Sequence, residues 1–175
     1  DQDSDSFIID EELSYNFNYD ENVNAIYSQY GNKLGDKFSF LLGLRLEHTQ
    51  LKGSVSSPFL TTEELEDTFD FNFKTNFDKN YLGLFPTVNL IYELDENENV
   101  TLGYNRRINR PRGWFINPFP SRSSRTNVFQ GNPDLNPAFS NTFDLGYLKK
   151  WDKLTFNASI YYQRETDSFE RVQLN

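Results

Sequence analysis

The stretch that decides the fold spans residues 81–94 and reads YLGLFPTVNLIYEL. From residue 84 onward its even-numbered positions are apolar or aromatic, namely Leu84, Pro86, Val88, Leu90, Tyr92 and Leu94. The positions between them include Thr87, Asn89 and Glu93. Successive side chains of a β-strand point to opposite faces of the sheet, so this period of two predicts a strand with one apolar and one polar face.

The same alternation recurs along the chain. It is clear in residues 37–49, 99–108, 142–147 and 154–163, and weaker in residues 22–30. The longer of these segments, at about 9–14 residues, exceed the length that is usual in globular domains. Tilted strands of about that length cross a bilayer. A soluble β-sandwich also has strands with one apolar face, so alternation alone leaves a sandwich and a membrane barrel open.

The connections between the segments favour the barrel. Residues 31–36, 95–98 and 150–152 are short and polar, whereas residues 51–80 and 109–140 are each about thirty residues long. Short and long connections alternate, as they do between the periplasmic turns and the outer loops of outer-membrane barrels. The sequence therefore predicts an all-β fold, a transmembrane antiparallel up-and-down β-barrel to which this chain contributes about six strands.

We expect residues 1–20 to be an N-terminal loop segment and residues 21–165 to be the strands of the barrel wall with the outer loops 51–80 and 109–140. Residues 166–175 would begin a further outer loop. Closed single-chain barrels have about eight strands or more, and hydrocarbon cannot satisfy the backbone of an open edge. We therefore expect the rest of the barrel, or another outer-membrane chain, to complete the wall. The chain starts with DQDSDS, without an initiator Met or a signal peptide, and we expect a processed or excised piece.

Composition is compatible with this prediction. Aromatic residues make up 17% of the chain, and the mean hydropathy is −0.71 because only one strand face is apolar. No apolar run approaches the roughly 20 residues of a transmembrane helix. The net charge of −9 argues against a nucleic-acid partner. The absence of cysteine excludes a disulfide framework and a thiolate metal site.

Several motifs resemble the Bacteroidota-type outer-membrane β-barrel family of TonB-dependent receptors. In chain order they are LGLRLE (42–47), LFPTV (84–88), YNRRINRP (104–111), INPF (116–119) and GNPDLNP (131–137). The resemblance covers roughly residues 15–162, with strands and turns in the same order. One departure is Ala138, where the family usually has an acidic residue.

The resemblance implies a place in the bacterial outer membrane, in contact with its lipid, and energised uptake of a nutrient ligand. It also implies a plug domain and TonB as partners, within a barrel of about twenty-two strands. The plug and the TonB-contacting segment are not among these residues. Two alternatives stay open at this point. One is a non-transporting barrel component of a larger outer-membrane complex, and the other is a soluble β-sandwich binding protein.

Catalytic and metal chemistry have little support in the sequence. His48 is the only histidine, and no nucleophile elbow or metal-ligand spacing accompanies it, so we expect a position in the membrane-interface girdle. The acidic run at residues 63–67 is expected to be a solvated loop face rather than a calcium site. We therefore expect no enzyme activity, no cofactor and no metal.

A ligand site is expected in the loop 109–140 and on the polar face of the strands, because guanidinium groups beside aromatic rings suit sugar or peptide ligands. The candidates are Arg110, Arg112, Trp114, Phe115, Phe119, Arg122, Arg125, Arg45 and Arg107. The prolines of the same loop favour a different role, in which the loop is shaped to pack against its neighbours. Both interpretations remain open on the sequence alone.

Overall fold

Strands dominate the computed structural model, which describes residues 14–68, 74–122 and 128–172. The elements, in chain order, are β1 (Asn16–Leu34), β2 (Phe38–Ser56), α1 (Thr62–Thr68), β3 (Asn76–Asp95), β4 (Glu98–Asn109), α2 (Gly113–Ile116), β5 (Ser121–Arg122), β6 (Val128–Phe129), β7 (Ala138–Lys150) and β8 (Thr155–Thr166). Among these residues, no helix is long and apolar enough to cross a membrane.

The six long strands form a single antiparallel sheet in the order β1-β2-β3-β4-β7-β8, and β5 pairs with β6 in a small separate hairpin. Neighbours in this sheet are also neighbours along the chain, apart from the β5–β6 hairpin between β4 and β7. Within the described residues the sheet is not closed, and β1 and β8 lie at its two ends. The predicted fold class, a partial up-and-down barrel of about six strands, is confirmed.

Several predicted boundaries were wrong because the strands are longer than their most apolar parts. β1 begins at Asn16, inside the segment expected to be a loop up to residue 20, and residues 1–13 lie outside the described part of the chain. β2 runs to Ser56 and β3 begins at Asn76, so both ends of the predicted loop 51–80 belong to strands. In β2 the alternation continues beyond Thr49, with Leu51 and Val55 buried. The last three residues of the predicted loop 109–140 belong to β7.

The strand pairing places side chains in rows across the sheet. One row on the apolar face is Leu90, Leu102, Leu145 and Ile160. A row on the opposite face, one residue away along each strand, is Asn89, Gly103, Asp144 and Tyr161. The two faces thus differ in chemistry, as the alternation in the sequence predicts.

The three short turns lie at one end of the strands, which we call the short-turn end. In the β1–β2 turn Gly35 has a φ of 64°, a left-handed conformation that glycine adopts without steric cost. At the same end of the sheet, Glu98 at the start of β4 is opposite Lys149 near the end of β7, and the two side chains are 3.0 Å apart. The Lys149 ammonium also lies 5.5 Å from the ring centre of Trp151. Charged and aromatic groups therefore mark this end of the apolar face.

The chain divides into two compact units. The strand unit comprises residues 23–49, 81–111 and 136–175, and the loop unit comprises residues 1–22, 50–80 and 112–135. The loop unit has a hydrophobic core of its own, built from Val55, Leu65 and Phe119 with Tyr15 and Leu60 packed against them. The segments that connect the strands at the end opposite the short turns are therefore folded around apolar side chains.

Candidate functional site

The polar face of the strand unit carries a cavity of about 630 Å³. Three arginines belong to its lining residues, Arg45, Arg106 and Arg107. Arg45 and Arg107 lie on the polar side of the alternation, whereas Arg106 shares the apolar parity of Leu102 in the regular β4–β7 pairing. Polar neutral and aromatic residues complete much of the wall: Gln29, Thr87, Asn89, Asn105, Tyr27 and Phe85. No Asp, Glu or His is among the lining residues. The cavity is therefore positively charged in a chain whose net charge is −9.

The strand pairing explains how these residues come together. Thr87 is opposite Asn105 across the β3–β4 pair, so both side chains project from the same face. Asn89 is opposite Gly103 in the next row of that face. A Cβ atom at Gly43 would lie 3.5 Å from Cβ of Thr87, which places β2 beside the same row. Gly43, which belongs to the lining, adds no side chain to the cavity.

Contacts between aromatic rings and guanidinium groups connect strands β2, β3, β7 and β4. The Arg45 guanidinium is 5.1 Å from the ring centre of Phe85, whose side chain is buried. The Phe85 ring stacks against Phe139 at 6.4 Å, and the Arg106 guanidinium lies 4.9 Å from the Phe139 ring centre. Cation–π contacts of this kind stabilise a guanidinium without neutralising its charge.

A buried carboxylate anchors the same region. Glu47 is only 4% exposed and forms ion pairs with Arg45, at 3.2 Å, and with Arg110. Arg110 also donates a hydrogen bond from Nη2 to Oγ1 of Thr49 at 3.3 Å. Glu47 was not singled out from the sequence. The available signal was its position between Arg45 and Thr49 on the polar side of the alternation in β2. The arrangement makes Arg110 a partner of a buried carboxylate.

The structure separates the candidate ligand residues into groups. Arg45 and Arg107 line the cavity, and Arg110 pairs with Glu47. Arg112, Trp114, Phe115 and Phe119 lie in the loop unit. Only the backbone of Arg122, in β5, is described, and Arg125 lies outside the described residues. For all of them a ligand-binding role stays a prediction.

The loop-unit aromatics differ in accessibility. Trp114 is 50% exposed, stacks on Phe115 at 3.7 Å and lies 5.1 Å from Phe129. Phe119, by contrast, is 1% exposed and stacks on Tyr15 at 3.4 Å. Phe119 thus packs in the core of the loop unit, whereas Trp114 presents an aromatic surface. Within the described ranges no group of three or more Asp, Glu, His or Cys side chains is placed to hold a metal ion.

A comparison with protein families assigns the chain to a family. The sequence model of the outer membrane protein beta-barrel family matches residues 1–175. The chain belongs to this family. A search of curated proteins finds no match. Membership places the chain in the bacterial outer membrane, where the apolar face of a barrel wall contacts lipid. It also removes the soluble β-sandwich alternative.

Proposed function

We propose that this chain is part of the barrel of a TonB-dependent outer-membrane receptor, which takes up a nutrient ligand by energised transport. The observation that carries the proposal is the arginine-lined cavity on the polar face of the strand unit. In an outer-membrane barrel the face opposite the lipid lines the interior, so this cavity would open into the lumen. A plug domain and TonB are the partners that the proposal requires.

Two further observations support it. Motifs that resemble the TonB-dependent receptors recur in order along the chain, including the NRRINRP stretch that supplies Arg106, Arg107 and Arg110. The cavity is also large enough for a small solute, since ligand sites occupy about 300–1,000 Å³. Its lining residues include no carboxylate or imidazole that would serve as a general base, and we propose a binding role without catalysis.

A growth experiment with the full-length gene tests the proposal. A deletion strain would be grown on a panel of single limiting nutrients and complemented either with the full gene or with a version that lacks the TonB-contacting segment. We expect loss of growth on at least one nutrient, with rescue by the full gene only. A protonophore should abolish uptake of the same nutrient in the complemented strain.

The competing function is that of a non-transporting barrel component of a larger outer-membrane complex. The packed core of the loop unit favours it, because Phe119, Ile116 and Leu65 are each only 1% exposed and serve packing rather than ligand contact. Equal growth of the deletion and complemented strains on every nutrient, with an outer-membrane partner that co-purifies with the protein from the complemented strain, would support this second function and contradict the first.

A further inference from the structure

We infer that the arginine-lined cavity binds a small hydroxylated organic acid, through its carboxylate and one or more of its hydroxyl groups. The inference rests on the proposed function and names the class of solute that the same cavity would take. It is carried by the charge of the cavity, by the buried Oδ1 atom of Asn105, which has no partner among the described residues, and by the polar and aromatic wall.

The charges near the cavity favour an anion. Arg45 and Arg107 belong to its lining and lie on the polar side of the alternation in β2 and β4. Arg45 is paired with the buried carboxylate of Glu47, and within the described residues no acidic side chain forms an ion pair with Arg107. The positive charge of the cavity is therefore only partly offset. A carboxylate in the cavity would gain charge-assisted hydrogen bonds.

Acidic residues of the neighbouring strands do not occupy this space. Asp144 lies beside Gly103, one row closer to the short-turn end than the Thr87–Asn105 pair. Glu165 is opposite Ser140, which is itself opposite Arg107, so the acid is two strands away from Arg107. Neither residue lines the cavity.

One buried atom indicates a group that a ligand would bring. Oδ1 of Asn105 is buried and has no donor among the described residues. Asn105 belongs to the lining of the cavity and is opposite Thr87 on the polar face. A buried acceptor without a partner is costly, so a ligand atom gains binding energy there. Asn105 Oδ1 requires a donor such as a hydroxyl, whereas the Arg107 guanidinium requires an acceptor such as a carboxylate oxygen.

The walls suit a carbon chain that carries hydroxyl groups. The Tyr27 ring, which is exposed, offers surface to C–H groups, while Asn89, Thr87 and Gln29 offer further hydrogen-bonding groups. A purely apolar acid would leave these polar groups unsatisfied, and a neutral polyol would leave Arg107 without a counter-charge. The combination points to a molecule that has both a carboxylate and hydroxyl groups.

Calorimetric titration of the full-length protein in detergent tests the inference with three probes of similar size: gluconate, sorbitol and hexanoate. Gluconate has a carboxylate and hydroxyl groups, sorbitol lacks the carboxylate, and hexanoate lacks the hydroxyl groups. We expect saturable gluconate binding that is at least tenfold tighter than binding of either other probe. The affinity for gluconate should fall as salt is raised, because the contact is between charges.

Variants locate the site. Arg107→Gln and Asn105→Leu should each weaken gluconate binding tenfold or more, whereas Arg107→Lys should keep part of it because the charge remains. Arg164→Gln is the matched control, since it removes a guanidinium from β8 outside the lining of the cavity and should leave the affinity unchanged. Heat-dependent gel mobility would show that each variant is folded.

The possible results separate the two proposals. Equal binding of gluconate and sorbitol, no saturable binding of gluconate, or an affinity that folded Arg107→Gln leaves intact would overturn the inference about the ligand. If TonB-dependent growth is observed nonetheless, the proposed transport function stands without it. Gluconate binding that depends on Arg107, in a strain whose growth never depends on the TonB-contacting segment, would retain the ligand class and overturn the transport function.

Discussion

The backbone N–H of Gly131 donates a hydrogen bond of 2.8 Å to the carbonyl oxygen of Asn117. Beside it, the N–H of Asn132 donates to the carbonyl oxygen of Phe115 at 2.7 Å. The INPF and GNPDLNP motifs are therefore bound to each other through their backbones. A Cβ atom at residue 131 would come within 2.6 Å of the carbonyl oxygens of both Asn117 and Phe115, so only glycine fits at this position.

Replacing Gly131 with Ala should therefore destabilise the loop unit. We expect a loss of about 1–3 kcal/mol, the usual cost of forcing an extra carbon into a packed site. Limited proteolysis of the full-length protein would detect it as faster cleavage within residues 112–135. Gly103→Ala is the control, because the nearest atom to a Cβ there is 3.4 Å away, an ordinary contact. Equal protease resistance of the two variants would contradict the packing argument.

Glu47→Gln should destabilise the strand unit, because the substitution removes the charge that faces Arg45 and Arg110. Breaking a buried ion pair costs about 3–5 kcal/mol, and we expect the lower end because Arg45 is half-exposed. Denaturant unfolding of the full-length protein in detergent gives the change in free energy.

The matched control is Glu93→Gln in β3. Its ion pair with Lys33, at 3.6 Å, has both side chains well exposed, so the loss should be about 0–1 kcal/mol. A double variant, Glu47→Gln with Arg110→Gln, should lose less than the sum of the two single variants, because neither charge is then left without its partner. Additive losses would show that Glu47 and Arg110 do not stabilise the fold as a pair.

An arginine introduced on the apolar face should destabilise the barrel strongly only near the middle of the bilayer. Leu102 belongs to the central row of that face, and Thr101 is its neighbour on the polar face. We expect Leu102→Arg to cost about 2–4 kcal/mol in a folding titration into phospholipid vesicles. Thr101→Arg should be much milder, since the lumen is polar.

Phe156→Arg provides a test of depth on the same face. Phe156 is opposite Lys149, in the row that contains Glu98 at the short-turn end. A charge at interface depth costs only about 0–1 kcal/mol, so we expect a small loss. Equal losses for Leu102→Arg and Phe156→Arg would show that the apolar face has no gradient of depth.

The alternation of side chains was sufficient to predict the six long strands and their two faces, and the alternation of short and long connections predicted their up-and-down order. It was insufficient for their ends, where burial comes from the loop unit rather than from an apolar run. Phe17 and Tyr19 alternate with Asn16 and Asn18 in a polar context, and only the contacts of the loop unit show that the strand extends there. The helix α1 was likewise hidden in a run of acidic residues, because Leu65 is the one buried side chain among those described in it.

The cavity was predictable only in part, for a similar reason. Parity alone placed Arg45 and Arg107 on the polar face. Phe85 follows the same parity but is apolar, and its partnership with Arg45 and Phe139 depends on contacts between three strands. Pairing of Glu47 with Arg110 joins residues that are 63 positions apart, which no local pattern reveals.

The start of α1 should respond to acid through Glu64. Its carboxylate accepts hydrogen bonds from the backbone N–H of Thr61, at 2.7 Å, and from the Thr61 hydroxyl, at 2.8 Å. These bonds, the backbone bond first, hold the pKa of Glu64 below its usual value. A carboxyl group with a lowered pKa in the folded state stabilises above its unfolded pKa, and the stabilisation is lost as pH falls through the folded pKa.

We therefore expect amide protection in residues 62–68, taken relative to the intrinsic exchange rate at each pH, to fall in acid in the wild-type protein more than it does in β4. Glu64→Gln should show the lower protection already at neutral pH and little further change in acid. Glu63→Gln, which removes the same charge one residue earlier, is the control and should retain the wild-type pH dependence. The same pH dependence in Glu64→Gln as in the wild type would assign the effect to another group.

The last prediction concerns the two end strands, β1 and β8. Within the described residues β8 is paired with β7 alone, and every side chain of β8 is exposed, including Ile160 and Tyr162. The backbone groups along such an edge can bond to water but not to hydrocarbon, where each group left without a partner costs several kcal/mol. In the outer membrane both end strands must therefore be hydrogen-bonded to further strands, from the same barrel or from another chain. Hydrogen exchange of the full-length protein in native membranes tests this, and we expect the amides of β1 and β8 to exchange as slowly as those of β4. Residues 57–61, between β2 and α1, give the rate for a loop at the same pH. If β1 and β8 exchange at that loop rate, their edges are open at membrane depth and the wall is not part of a closed barrel.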